Sequence, residues 1–221
     1  MAASPQKRHR EEPSAKFHRN IFRRLASGVV KKTSNLFWEI ADDWSYKNEK
    51  IARYYDRTIG GDYTREYNEC GITPESKVLH IGCGAYPLTE MMLATHAHVH
   101  SVVGIDHNPL TVKRAGEVIQ RKNLNGKITI EHGDGIDFPV DGFDVVIASS
   151  CSLPKQAILQ HLFATTRSKC RIIVRELDIA ADEILYCIRS HPEVKLEKCM
   201  HHNPFPFVEP MGWTTYCLRK Q

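Results

Sequence analysis

The chain has 221 residues, of which 42% are hydrophobic and 25% charged, and it carries a formal net charge of +4. That length is enough for one domain with a well-packed core and an N-terminal extension. The composition is typical of a soluble globular protein, and the sequence shows neither an apolar run near the ~18 residues of a membrane-spanning helix nor a secretory segment.

The basic charge is concentrated at the N-terminus. Residues 1–32 contain nine Lys or Arg and two Glu, a local charge of +7, which leaves −3 for the rest of the chain. We expect residues 1–15 to be disordered. Over 17–32 the spacing of apolar residues predicts an amphipathic helix with these residues on one face: Phe17, Ile21, Leu25 and Val29. Such a helix is suited to an anionic membrane surface or to nucleic acid, but a helix docked on its own domain, or a solvated basic arm, is the favoured alternative.

Residues 33–72 form a second segment, in which large apolar residues recur at helical spacing. The pattern predicts helices over 35–44 and 45–56, and Gly60 with Gly61 predicts a break after them. We attribute most of the five tyrosines of this segment to amphipathic packing: Tyr46, Tyr54, Tyr55, Tyr63 and Tyr67.

A glycine-containing loop follows directly on a short apolar strand. Residues 77–81 predict a buried parallel strand, and Gly82, Cys83 and Gly84 come next without a spacer. The two glycines let the backbone turn sharply and let a ligand approach it closely. Residues 88–95 predict a helix whose free N–H groups favour a negative group. The loop is therefore a candidate cofactor site.

Two acids stand at the ends of the next two predicted strands. Asp106 comes 24 residues after Gly82, near the ~20-residue spacing at which such folds place a carboxylate on ribose hydroxyls, and His107 is its neighbour. Asp134, followed by Gly135, is placed to hold an adenine amino group. The alternative is that both acids are only turn or cap residues. Both acids lie at the carboxyl ends of predicted strands, where open α/β sheets bind ligands. This position favours a role in binding a cofactor over a turn or cap role.

The order of Gly82-Cys83-Gly84, Asp106, Gly133-Asp134 and the apolar run 143–148 resembles the class I S-adenosylmethionine-dependent methyltransferase superfamily, over about residues 73–221. Three short matches are similar to nicotianamine synthases, which use the same fold and cofactor but transfer the aminocarboxypropyl group. These matches are Pro87-Leu88-Thr89, Pro154-Lys155 and Arg171-Ile172-Ile173-Val174-Arg175.

The resemblance implies S-adenosylmethionine as the cofactor, held by Gly82, Cys83, Gly84, Asp106, His107, Asp134, Gly135 and Ser149. It also implies that residues 33–72 form a helical lid over the cofactor. Matched to the nicotianamine synthase pattern, Glu49 falls where that family has an acid near the acceptor amine, and Tyr63 falls near its substrate tyrosine. We take these two residues as the catalytic candidates, and a solvated Glu49 paired with a basic neighbour is the alternative.

Helical and strand patterns alternate from residue 73 to residue 221. The fold class predicted from this alternation is α/β, with a doubly wound, mostly parallel seven-stranded sheet and helices on both faces. The final strand, over 213–219, is expected to insert antiparallel to its neighbours. The connection 200–212 is rich in proline and aromatic residues, and we expect it to wall the acceptor site.

The segment after the fourth predicted strand is where members of the superfamily place residues facing the acceptor. Ser149 and Ser150 are candidates for lining that pocket, and plain hydrogen bonding at the strand end is the alternative. The segment lacks the Asn/Asp-Pro-Pro-aromatic pattern typical of enzymes that methylate nucleobase or glutamine nitrogens. This lack argues against methylation of DNA or RNA bases.

The seven cysteines are odd in number and never spaced as Cys-x-x-Cys. This usage predicts reduced, buried thiols in an intracellular, cytoplasmic protein. Cys199-Met200-His201-His202 has no second ligand cluster at a finger-like spacing, so no metal site is expected.

Three functions compete at this point. A methyltransferase with a small-molecule acceptor is favoured by the frequency of that activity in the superfamily. A nicotianamine synthase-like transferase of the aminocarboxypropyl group is favoured by the three short matches. A non-catalytic module that binds a cofactor or nucleic acid is favoured only by the basic N-terminus.

Overall fold

The computed structural model describes residues 13–203 and 212–221, and side chains from residue 28 onward. The predicted disorder of residues 1–15 lies mostly outside this part of the chain. So does the central part of the connection 200–212, at residues 204–211.

Two long helices precede the sheet. They are α1 (Pro13–Lys47) and α2 (Glu49–Glu69). Asn48 separates them, and its side-chain oxygen accepts hydrogen bonds from the N–H groups of Lys50 and Ile51 at 2.9 and 3.4 Å, as an N-cap does. The break predicted at Gly60 is wrong, because α2 continues through it: a Cβ at Gly60 would lie 3.1 Å from the methyl carbon of Met92, so the glycine allows close packing inside the helix.

Seven strands form one sheet: β1 (Lys77–Ile81), β2 (Ser101–Asp106), β3 (Ile128–His132), β4 (Val145–Ala148), β5 (Arg171–Leu177), β6 (Val194–His202) and β7 (Trp213–Lys220). The strand order is β3-β2-β1-β4-β5-β7-β6, and β7 runs antiparallel to both of its neighbours. The helices between the strands are α3 (Leu88–Thr95), α4 (Pro109–Arg121), α5 (Lys155–Thr165) and α6 (Ala181–Arg189). The predicted doubly wound sheet with an inserted antiparallel strand is therefore confirmed.

Alternating residues of the strands contribute their side chains to two hydrophobic layers, one on each face of the sheet. Val78 of β1 packs with α1, α2, α3 and α4 on one face, whereas its neighbour Leu79 packs with α5 and α6 on the other. This is the period of two expected of a sheet covered on both faces.

Helix α1 is docked on the domain that follows it. The Lys31 ammonium lies 3.2 Å from a carboxylate oxygen of Glu176 and 3.6 Å from one of Glu183. Nearer the C-terminal end of α1, Asp43 accepts a hydrogen bond from Arg114 at 2.8 Å. Ser34 of the same helix is fully buried. No helix in the described residues is both long enough and apolar enough to cross a membrane. For the described part of the basic segment, these contacts match a helix packed on its own domain.

Cys70 and Cys217 are joined by a disulfide, so the prediction of seven reduced thiols is wrong for this pair. The two cysteines are separated by 147 residues in sequence, yet the end of α2 packs against β7 and brings their Cα atoms to 5.8 Å. This spacing is ordinary for a disulfide, and sequence spacing alone could not reveal it. The other five cysteines are free thiols.

Candidate functional site

A cavity of about 480 Å³ lies at the carboxyl ends of β1 to β4, and helices α1 and α2 contribute to its walls. Ligands of open α/β sheets bind at this edge. The cavity brings together most of the residues singled out from sequence, namely Tyr63, Gly82, Cys83, Gly84, Asp106, His107, Asp134, Gly135, Ser149 and Ser150.

The loop after β1 needs its glycines. Gly82 and Gly84 have φ values of +84° and +70°, in the left-handed region that side chains disfavour. A Cβ on Gly84 would also lie 2.8 Å from a carboxylate oxygen of Asp42. The N–H groups of Gly82 and Cys83 both donate to the Ile105 carbonyl, at 2.9 and 3.0 Å, which fixes the loop against the end of β2.

Asp106, at the end of β2, lines the cavity beside this loop. One of its carboxylate oxygens accepts a hydrogen bond from the Asn108 N–H at 3.0 Å, as a turn residue does, and the other accepts from the Gly84 N–H at 3.3 Å. Only 12% of the side chain is exposed, whereas the neighbouring His107 is 80% exposed at the rim. The turn role therefore holds Asp106 in place and leaves it facing the cavity.

The end of β3 forms the next part of the wall. Asp134 is exposed and accepts a hydrogen bond from the Ile136 N–H at 3.1 Å, which closes a short turn. A Cβ on Gly135 would come within 2.5 Å of the Ile81 side chain. The glycine therefore lets this turn lie close to β1.

Helix α1 reaches the glycine loop through Asp42. Its carboxylate accepts hydrogen bonds from the backbone N–H groups of Ala85 and Tyr86, at 2.6 and 2.9 Å. Burial raises the pKa of Asp42 to about 7, although these two hydrogen bonds oppose the rise. A carboxyl group with this pKa can gain or lose a proton near neutral pH.

Aromatic rings line the side of the cavity nearest α1, α2 and β7. The Trp38 ring lies 6.2 Å from the rings of both Tyr55 and Trp213, measured between centroids, and the Tyr63 ring lies 6.0 Å from that of Trp213. Burial raises the pKa of Tyr63, so its hydroxyl stays protonated at neutral pH and can donate a hydrogen bond. Nε1 of the buried Trp213 has no hydrogen-bond partner among the described residues. This side of the cavity is apolar and offers a few hydrogen-bond donors.

Behind Tyr63 lies a buried ion pair. Arg175 donates to both carboxylate oxygens of Glu66, at 2.7 and 3.0 Å, and to the Thr89 hydroxyl at 2.8 Å. Its guanidinium carbon lies 3.9 Å from the centroid of the Tyr63 ring. The pair fixes the Tyr63 ring at the cavity wall through a cation–π contact.

The structure does not place Glu49 in the cavity. Glu49 is the first residue of α2, its side chain is 69% exposed, and its carboxylate lies 3.7 Å from the Lys122 ammonium. The turn between α1 and α2 packs against α4, where Tyr46 donates to Glu117 at 2.6 Å, and this packing places Glu49 beside the end of α4 instead of in the cavity. The acids that α1 does present to the cavity are Glu39 and Asp42.

Sequence reasoning missed several wall residues, among them Trp38, Asp42, His80 and Arg175. His80 and Arg175 did carry a signal, because each is a polar residue inside an apolar strand. Such a residue is seldom buried without a partner. Asp42 and Trp38 carried none, since ordinary helix spacing accounts for both.

The cavity offers neither an activated thiol at Cys83 nor, among the described residues, a cluster of metal ligands. Burial raises the pKa of the Cys83 thiol, which keeps it protonated and unreactive. Within residues 13–203 and 212–221, no group of three or more His, Cys, Asp or Glu side chains is arranged to hold a metal ion.

A family model described as a methyltransferase domain matches residues 72–210. Sterol 24-C-methyltransferase of Gibberella zeae is 35% identical over 97 residues, which cover 42% of this chain and 25% of that protein. Malonyl-[acyl-carrier protein] O-methyltransferase of a Paenibacillus species is 29% identical over 132 residues, covering 52% and 47%. The chain thus spans less than half the length of either relative.

Among solved structures, the fold is similar to that of a variant of MtNAS, a nicotianamine synthase, in complex with S-adenosylmethionine. The TM-score is 0.69 at 17% sequence identity, and the match covers 88% of this chain and 77% of MtNAS. At this identity the likeness establishes the fold.

Proposed function

The chain belongs to the methyltransferase domain family, and from this premise we propose that it is an S-adenosylmethionine-dependent methyltransferase with a small-molecule acceptor. The observation that carries the proposal is the meeting of the glycine loop, Asp106 and Asp134 in one cavity. These are the groups that the resemblance predicts for this cofactor, and they lie at the edge where open α/β sheets bind ligands.

The residues of the cavity fit this cofactor. The Asp42 carboxylate already occupies the N–H groups of Ala85 and Tyr86, so Asp42 itself suits the ammonium group at the amino-acid end of the cofactor. Asp106 would hold the ribose hydroxyls, and the turn at Asp134 and Gly135 would line the adenine. When bound, S-adenosylmethionine supplies a methyl group that its sulfonium already activates.

The chain itself has to position the acceptor, because the methyl donor needs little further activation. Trp38, Tyr55 and Trp213 offer apolar surface, and the protonated Tyr63 hydroxyl offers a hydrogen bond. Glu39 adds a carboxylate to the same cavity. We infer an acceptor that has an apolar body and a polar or cationic group.

Transfer of the aminocarboxypropyl group is the second candidate, and one observation favours it. The likeness to MtNAS covers 88% of the chain, more than residues 73–221 can supply, so it must include part of the helices before the sheet. Shared helices before the sheet support a shared way of covering the cofactor, although not a shared reaction.

The by-product distinguishes these functions. The full-length protein would be incubated with a low-molecular-weight cell extract and S-adenosylmethionine labelled either in the methyl group or in the aminocarboxypropyl group. Methyl transfer releases S-adenosylhomocysteine and moves the first label into a product, whereas aminocarboxypropyl transfer releases methylthioadenosine and moves the second. A protein that binds the cofactor in calorimetry but yields neither by-product would contradict both.

The basic N-terminal segment is given no lipid or nucleic-acid partner in this proposal. Residues 1–12 lie outside the described structure, and Lys31 is paired with acids of its own domain. The cytoplasmic location stays a prediction, and the disulfide between Cys70 and Cys217 counts against it, because cytosolic proteins seldom keep such bonds.

A further inference from the structure

Three polar side chains form a chain that leads from the protein interior to the cavity. The Glu90 carboxylate lies 2.7 Å from Nδ1 of His80, and Nε2 of His80 lies 2.7 Å from the Ser149 hydroxyl. Glu90 is fully buried and His80 is 2% exposed, whereas Ser149 is half-buried at the end of β4. His80 and Ser149 both line the cavity.

The fold makes room for this arrangement. His80 pairs with Gly104 of the neighbouring strand, and a Cβ on Gly104 would collide with the Glu90 carboxylate. Glu90 belongs to the first turn of α3, where the helix dipole stabilises a negative charge. Its second carboxylate oxygen has no hydrogen-bond partner among the described residues. The Glu90 carboxyl group is thus held against His80, which is its one hydrogen-bond partner among the described residues.

The hydrogen bonds allow a proton to sit in two places. The Ser149 hydroxyl has one proton and two acceptors within reach, the Gly82 carbonyl at 3.1 Å and His80 Nε2 at 2.7 Å. When the Ser149 hydroxyl donates to the Gly82 carbonyl, Nε2–H of His80 donates to Ser149. When the hydroxyl donates to Nε2 of His80 instead, Nδ1–H of His80 donates to Glu90. A serine, a histidine and an orienting acid in this geometry form the arrangement by which enzymes move a proton.

We propose that Ser149, His80 and Glu90 form a proton relay that deprotonates the acceptor, and that the acceptor therefore carries an O–H or N–H group. The inference rests on the proposed transferase function. Ser149 is the catalytic residue because it is the member that meets the acceptor, while His80 and Glu90 act through it.

The transfer needs no further reactant except water, which is the final proton acceptor. The acceptor oxygen or nitrogen bonds to the transferred carbon, the bond from that carbon to sulfur breaks, and its electron pair stays on sulfur. The acceptor proton passes to Ser149 Oγ as the Ser149 proton passes to His80 Nε2. This leaves an imidazolium beside the Glu90 carboxylate, and water takes the proton when the product leaves.

Other titratable groups surround the relay. Asp42, Asp106 and Cys83 interact electrostatically with Glu90 or with one another around it. A pH profile of the wild-type protein alone would therefore mix several groups, and the variants have to be compared with it.

The variants His80→Gln and Ser149→Ala remove the relay, whereas Ser149→Thr keeps the hydroxyl. We expect the first two to lower turnover about 10²-fold or more, the range for loss of general base catalysis, with S-adenosylmethionine affinity changed less than about threefold. Ser149→Thr should retain most of the activity. The loss of turnover toward acid pH should disappear from the profile of His80→Gln.

A readout without turnover tests the geometry. In protein labelled with ¹⁵N and free of cofactor, Ser149→Ala should move the NMR signal of His80 Nε2, and Ser149→Thr should leave it near the wild-type position. Ser149 is half-buried, so its variants test the relay even if His80→Gln does not fold.

Wild-type turnover and pH profile in both relay variants would overturn the relay and leave the proposed function standing. Absence of both by-products from the wild-type protein would overturn the proposed function and the relay with it.

Discussion

The Asp42 carboxylate accepts a hydrogen bond from the backbone N–H of Ala85 at 2.6 Å, across 43 residues of sequence. The contact ties helix α1 to the glycine loop. A ligand that enters under the helix must therefore fit beside a carboxylate that already occupies loop N–H groups.

The first prediction concerns the pH dependence of stability. Burial raises the pKa of Asp42 from 3.8 to about 7, so between these values the folded protein binds a proton more tightly than the unfolded chain. Asp42 then makes the free energy of unfolding fall as the pH rises through this window. Asp42→Asn should remove that slope in urea unfolding measured at pH 5, 6, 7 and 8.

The neighbouring Asp43 is the matched control. It is only partly buried, and its hydrogen bond to Lys47 lowers its pKa, so its contribution to stability is lost only as the pH falls below about 4. Asp43→Asn should keep the wild-type slope between pH 5 and pH 8. Equal slopes in Asp42→Asn and the wild type would show that Asp42 does not titrate there.

The second prediction concerns cofactor affinity. Asp106→Ala should weaken S-adenosylmethionine binding by about 1–3 kcal/mol, the scale for losing hydrogen bonds to a charged group. Its carboxylate also accepts the Gly84 N–H, so the loop loses a support at the same time. Calorimetry gives the affinity, with Asp141→Ala, an exposed residue outside the cavity, as control. Unchanged binding in Asp106→Ala would remove Asp106 from the site.

The third prediction separates two glutamates. Glu49→Gln should leave turnover within about twofold of the wild type, because an exposed pair such as Glu49 with Lys122 is worth little. Glu39→Gln removes a carboxylate that lines the cavity, so it should raise KM for a cationic acceptor with kcat largely kept. The rate of by-product release at varied acceptor concentration gives kcat and KM for both variants. A strong loss of turnover in Glu49→Gln would return that residue to the site.

Sequence reasoning succeeded where the signal was local. The apolar strand 77–81 runs straight into Gly82, and Asp106 ends the next strand, so chain order alone placed both at one sheet edge. The catalytic assignment of Glu49 failed because it depended on the orientation of a helix, and packing against α4 decides that orientation. The contact between Asp42 and Ala85 likewise depends on how α1 crosses the loop, and spacing along α1 does not encode it.

The fourth prediction concerns the disulfide. Alkylation of the unfolded protein without reductant should modify the five free cysteines, and reduction should expose Cys70 and Cys217 as well. Cys217→Ser should lower the free energy of unfolding by up to about 5 kcal/mol, the chain-entropy value for so long a loop. The exposed Cys151 is the control, since Cys151→Ser should change stability by less than about 0.5 kcal/mol. Seven modified cysteines before reduction would contradict the disulfide.

The last prediction concerns the ion pair behind Tyr63. Glu66 is fully buried and Arg175 is 3% exposed, and the Thr215 hydroxyl also donates to Glu66, at 2.6 Å. Arg175→Met leaves a buried carboxylate without its cation, so we expect a loss of about 3–5 kcal/mol in urea unfolding. Glu66→Gln keeps the shape of the side chain but leaves the buried guanidinium without a negative partner. It should lower the free energy of unfolding by a similar amount.

The double variant decides whether the two charges act as a pair. Arg175→Met with Glu66→Gln removes both charges, so its cost should be well below the sum of the two single costs. Additive costs would mean that Arg175 is held mainly by Thr89 and the Tyr63 ring instead. In that case Arg175→Met should disturb the cavity wall at Tyr63 more than it disturbs Glu66, and S-adenosylmethionine binding would fall together with stability.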